Sequence, residues 1–181
     1  MAFVDESFDN WIFIDDGSNS PTVGSRFLLG EILDPSQKVF LWFGINPSKA
    51  MPNELDPTLA RVKKMSKYNN QDKDANWLMA NIYPQRSTNP NGMHQSKDNQ
   101  IHLDNLKVIE NVMKKYKDIT VVFAYGNLIN IRDYLAGCLV DIKVLIKKYN
   151  LDVKVLSITS KGNPHHPLGI ENKTKFIDYQ I

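Results

Sequence analysis

The stretch that decides the fold is VFLWFGINPS, Val39–Ser48, an apolar run without polar alternation that stops at Gly44 and turns through Asn46-Pro47. Such a run suits a strand covered on both faces, as in a parallel α/β sheet. Ligands of such sheets bind beyond the carboxyl ends of the strands, which puts Asn46 and Ser48 at a pocket rim. The plainer alternative is an Asn-Pro turn that caps the next segment. Both stay open on this motif alone.

Upstream, Trp11 to Ile14 and Arg26 to Leu33 are short apolar segments separated by a Gly-, Ser-, Asn- and Pro-rich loop, which predicts a hairpin beside the main sheet. Downstream, Asp56-Pro57-Thr58 opens a helix: Asp is a favoured N-cap, Pro suits the first helical position, and Leu59, Val62 and Met65 follow at helical spacing. Asn76 to Tyr83 reads as the next strand, and the polar loop Pro84 to Gln100 lies past its end. A helix over Ile101 to Lys117, a strand over Ile119 to Gly126, helical residues from Leu128 to Tyr149 interrupted near Gly137, and a strand from Val153 to Thr159 complete the pattern. Strands alternating with helices predict a three-layer α/β/α sandwich on a mainly parallel sheet. At 181 residues one domain is expected, with a β-rich opening hairpin over 1–35 and an α/β core over 36–170.

A formal net charge of +2 removes the strongly basic field of a protein that grips duplex DNA through many phosphates. The single Cys138 excludes an intramolecular disulfide and a zinc-thiolate site, and makes a reducing, cytoplasmic setting the default. The acidic N-terminal stretch lacks the features of a signal peptide, and no run reaches membrane-spanning length.

Three loops that each follow a strand converge on one face: Gly44 to Ser48, Arg86 to Asn99 and Lys161 to Leu168. They gather Asn46, Ser48, Asp56, Thr58, Arg61, Asn81, Arg86, Lys161, Asn163, His165 and His166. Asp56 reads as a helix cap or a site carboxylate, roles that are compatible. Arg61 reads as a phosphate ligand or a solvated helix charge. Arg86, in a polar loop beyond a strand end, has neighbours that offer no obvious carboxylate partner and is the better anion candidate. The His165-His166 pair is flanked by Pro164 and Pro167, which restrict the backbone and hold an imidazole in a fixed orientation for proton donation. Adjacent histidines rarely both ligate one ion, and His94 and His102 have no Asp-rich partner cluster, so no metal or other cofactor is expected.

On these motifs the chain resembles the bacterial and phage family known as domain of unknown function 1643, from about Arg26 to Ile170. The residues that carry the resemblance are Asn46-Pro47-Ser48, Asp56-Pro57-Thr58 with Arg61, Asn81 with Arg86 and Pro90, Gly126, and Lys161 to Leu168. The resemblance implies kinship rather than an activity. A weaker similarity is to the uracil/mismatch DNA glycosylase superfamily, through Gly44-Ile45-Asn46-Pro47 and the His165-His166-Pro167-Leu168 loop. It implies a glycosylase-like fold, with Asn46 orienting a water for attack at an anomeric carbon and His165 or His166 stabilising the departing base. Leu168 stands where that superfamily has serine. Two readings follow: a hydrolase of the N-glycosidic bond of a nucleotide, a nucleoside-like molecule or single-stranded DNA, or a protein that holds a nucleotide or phosphorylated signal in the same pocket without turnover.

Overall fold

The computed structural model describes residues 4–18 and 20–181. Met1–Phe3 of the N-terminal stretch and Asn19 of the loop between the first two apolar segments lie outside the described residues. In chain order the strands are β1 (Val4–Asp5), β2 (Trp11–Asp15), β3 (Arg26–Glu31), β4 (Val39–Gly44), β5 (Asn76–Asn81), β6 (Ile119–Phe123), β7 (Asp152–Val155) and β8 (Ile177–Asp178). The helices are α1 (Pro57–Asn69), α2 (Asn99–Lys115) and α3 (Asp133–Lys148).

The strands form one sheet of eight in the order β1-β2-β3-β5-β4-β6-β7-β8. The central four, β5-β4-β6-β7, are mutually parallel, whereas β1, β2 and β3 join from one side and β8 from the other through antiparallel pairs. The sheet is therefore mixed, which corrects the mainly parallel sheet expected from the βαβ pattern. The expected hairpin does not merely flank the sheet: β3 pairs directly with β5 and extends it. A second correction concerns Gly137. The chain forms a 3₁₀ turn over Gly126–Asn130 and then an uninterrupted α3, because Leu135, Cys138, Leu139, Ile142 and Ile146 are buried and outweigh the roughly 1 kcal/mol propensity cost of one glycine.

β4 lies between two parallel neighbours and is buried along its whole length. Its side chains alternate between two apolar clusters. Leu41 and Phe43 share one with Val108, Ile109 and Val112 of α2 and Leu135, Leu139 and Ile142 of α3. Phe40 and Trp42 share the other with Leu59, Val62 and Met65 of α1. The Trp42 indole N–H donates to Ser66 Oγ at 2.9 Å, so α1 is seated by one buried polar bond as well as by apolar contact. Burial of each such large side chain contributes about 1.5–3 kcal/mol. This arrangement holds the carboxyl ends of β4 and β5 side by side, in register from Val39/Asn76 to Gly44/Asn81.

No helix among the described residues is long and apolar enough to cross a membrane.

Candidate functional site

A cleft of about 390 Å³ opens where β4 and β5 end. Its size lies within the range of small-molecule sites. The pairing of the two strands continues past their ends, with Ile82 N–H donating to Gly44 O, Tyr83 N–H to Ile45 O and Ser87 N–H to Pro47 O, each at 2.9 Å. Those bonds carry Asn46, Ser48, Ser87 and Thr88 to the same rim, and all four line the cleft.

Asn81, the last residue of β5, is 1 % exposed and also lines the cleft. Both polar atoms of its side-chain amide are buried without a protein partner. Its main-chain carbonyl is held by the Asn105 amide of α2 at 2.9 Å. Gly44 explains why the amide fits: a Cβ there would meet the Met79 methyl at 2.6 Å and Asn81 Oδ1 at 3.0 Å. Buried polar groups are normally paired, so an orphaned amide in a cleft wall marks a place where a ligand's own polar edge belongs.

The Asn46 side chain is turned by its own bonds. Nδ2 donates to Pro47 O at 3.0 Å and to Ser87 O at 2.8 Å. Two carbonyl acceptors on that side assign the nitrogen, and Oδ1 is left as the acceptor. Asp56 caps α1 by accepting the Leu59 N–H at 2.9 Å, and it lines the cleft together with Pro57 and Thr58. The two readings of Asp56 thus coincide in one residue.

His166 reaches the cleft from the last loop. It is half-buried, and its Nδ1 accepts the Leu168 N–H at 3.3 Å, which leaves the proton of the neutral ring on Nε2. Burial pushes its pKa below the usual range, against an opposing pull from Asp56. Gly126, at φ +63°, makes room for this loop: its N–H donates to Pro164 O at 2.9 Å, and a Cβ there would lie 3.3 Å from His166 Cβ. Arg61 of α1 holds the loop from the other side, with Nε donating to Pro167 O at 3.1 Å and Nη2 to Ile170 O at 2.8 Å.

The structure thus brings Asn46, Ser48, Asp56, Thr58, Asn81 and His166 together in one cleft. Arg61 instead spends its guanidinium on main-chain carbonyls of the His166 loop. Arg86 lines a neighbouring cleft of about 510 Å³, which shares Ser87 and Thr88 with the first. Its Nη1 donates to Ser48 O at 2.9 Å. His165 is outside the cleft lining, Lys161 is exposed, and Asn163 donates to Asn127 Oδ1 at 3.0 Å. Among the described residues no group of three or more His, Cys, Asp or Glu side chains is arranged to hold a metal ion.

With this geometry in place, the comparison with known proteins is informative. The family model described as protein of unknown function (DUF1643) matches residues 26–168. The chain belongs to this family. No curated protein and no solved structure matches it. The DUF1643 match begins at Arg26 and ends at Leu168, both of which line the cleft, and it contains every residue of the cleft lining. In contrast, β1, β2 and β8 fall outside it.

Several cleft residues of this DUF1643 chain, among them Arg26, Lys49 and Leu128, are not singled out by the sequence motifs, and Leu168 is marked there only as the end of its loop. Leu128 and Leu168 are 42 % and 52 % exposed and give the cleft apolar lips. Arg26 is 2 % exposed, and it looked like an ordinary first residue of an apolar strand. A cation heading the run Phe27-Leu28-Leu29 was the available signal.

Proposed function

We propose that this cleft binds a nucleotide or nucleoside-type ligand and hydrolyses its N-glycosidic bond, on a three-layer, glycosylase-like arrangement of sheet and helices, in the cytoplasm. The observation that carries the reading is the Asn81 amide, buried in the cleft wall with neither its N–H groups nor its oxygen paired. An amide offers a donor beside an acceptor in one plane, which is complementary to the adjacent N–H and C=O of a nucleobase edge. Leu128 and Leu168 suit the faces of such a ring.

In this mechanism Asn46 Oδ1 accepts a hydrogen bond from a water and orients it toward the anomeric carbon. The water oxygen forms the new C–O bond as the C–N bond breaks. The bonding electron pair leaves with the base, where the His166 Nε2–H stabilises it, and the water's proton passes to the Asp56 carboxylate. Asp56 also offsets positive charge that develops on the sugar. Retention of the ligand without turnover is the second reading, and it is favoured by the buried charge of Arg26 in the same cleft.

The test is mass spectrometry of nucleosides, nucleotides and single-stranded DNA incubated with the protein. Free base is the expected product. Its absence across a broad panel overturns the hydrolase and leaves the binding reading.

A further inference from the structure

The charge at the cleft floor carries a consequence for the ligand. Arg26 donates through Nη1 to Ala50 O at 2.8 Å, its Nε is buried without a partner, and its Nη2 has no partner among the described residues. Arg86 also has a buried, unpaired Nε, but its Nη1 donates to Ser48 O at 2.9 Å and Pro21 O at 3.4 Å, its Nη2 contacts Met51 Sδ at 3.4 Å, and its guanidinium lies 6.0 Å from the Phe13 ring centre. Neither guanidinium forms an ion pair among the described residues. Burial, and after it repulsion from Arg86, lowers the Arg26 pKa to about 9, against a smaller pull from Asp56. Arg86 is lowered as well, chiefly by burial, with Asp15 and Asp16 opposing.

A single bond to a main-chain carbonyl does not offset burying a guanidinium, since an interior charge without an ionic partner loses its hydration and gains little in return. Asp56, the carboxylate in the cleft, already caps α1. Lys49, Ser48 and Thr58 line the same cleft as Arg26 and supply a second cation and two hydroxyl groups. That set of donors matches a tetrahedral oxyanion.

We infer that the cleft seats a phosphate monoester on Arg26, so that the ligand is a nucleoside monophosphate rather than a nucleoside or a nucleic-acid strand. The inference rests on the cleft being the ligand site, as proposed above, but not on hydrolysis. A 390 Å³ cleft is of mononucleotide scale, and a net charge of +2 gives a polyanionic strand little general attraction.

Calorimetric titration of the wild-type protein with each nucleoside, its 5′-monophosphate and a short oligonucleotide of the same base is the direct test, with inorganic phosphate as competitor. The monophosphate is expected to bind about ten- to a hundredfold more tightly than the nucleoside, the gain of a charge-assisted contact, and to be displaced by phosphate. Arg26→Met should erase that preference and leave the melting temperature of the free protein unchanged or raised, because a buried unpaired charge is replaced by an apolar chain of similar length. Arg26→Lys should retain part of the preference. Equal affinity for nucleoside and monophosphate overturns the inference, as do tighter binding of the oligonucleotide, no binding of any of these ligands, or a preference that survives Arg26→Met. If Arg26→Met does not fold, the wild-type titrations decide. Monophosphate binding without release of base refutes the hydrolase and leaves the phosphate seat standing. Base released equally from nucleosides and monophosphates, with equal affinities, refutes the seat and leaves the hydrolase standing.

Discussion

With both N–H groups of Asn46 donated to the Pro47 and Ser87 carbonyls, the Asn46→Ala variant removes an acceptor from the cleft while the Ser87 N–H bond to Pro47 O still joins the two loops. Water orientation contributes in the transition state. Base release should therefore disappear while ligand affinity, measured by calorimetry, stays within a few-fold of wild type. His166→Ala should slow release by about 10²–10⁴-fold, the usual contribution of a positioned proton donor, in single-turnover assays. His166 also sets a pH dependence. Its folded pKa lies below the ordinary value of 6.5, so the unfolded chain takes up the proton first as pH falls. The stability that comes from keeping the ring neutral is complete above about pH 6.5 and is lost as pH falls through the lowered folded value. Urea unfolding at neutral and acidic pH should show the wild type losing more stability on acidification than His166→Gln; equal losses would refute this role.

At the scale of elements, two side chains on α1 do separate jobs. Ser66→Ala strips the buried Trp42 indole N–H of its partner and should destabilise the fold by about 1–3 kcal/mol in denaturant titration, with little effect on ligand affinity. Arg61→Ala removes two bonds to the loop that carries His166 and should speed hydrogen exchange at Gly169 and Ile170 while the exchange of β4 is unchanged. These two residues also mark what was legible in the chain. Strands β4, β5 and β6 and the Asp56 start of α1 could be read because continuous burial and capping leave local signatures. Arg61 could not, because its acceptors are carbonyls 106 and 109 residues further along. Arg26 was obscured in the same way, since its carbonyl partner belongs to another strand's loop. The Asn46, Asp56 and Asn81 group was readable because each ends a strand, follows a strand end or caps a helix. The one-sided choice of His166 over His165 depends on the turn held by Gly126 and has no signature in the His-His pair itself. Strands β1 and β8 span two residues each, too few to show a period.

For the molecule as a whole, Cys138 offers a probe of global opening. It is buried in the cluster between α2, α3 and the sheet, and burial pushes its thiol pKa up to about 11. Thiol reagents at neutral pH should label the native protein slowly, at a rate that rises with denaturant in step with loss of the fold. Rapid labelling under native conditions would mean that α3 opens locally. The order of the strands has a different consequence. Among the described residues the sheet finishes on β1 at one margin and β8 at the other, each two residues long, while the long buried strands are all interior. Unfilled main-chain donors and acceptors at a sheet margin are what a second chain would zip onto. Among the described residues very few of them are presented, so there recruitment by strand addition, whether by a peptide or by another copy in a fibril, has almost no template to start from.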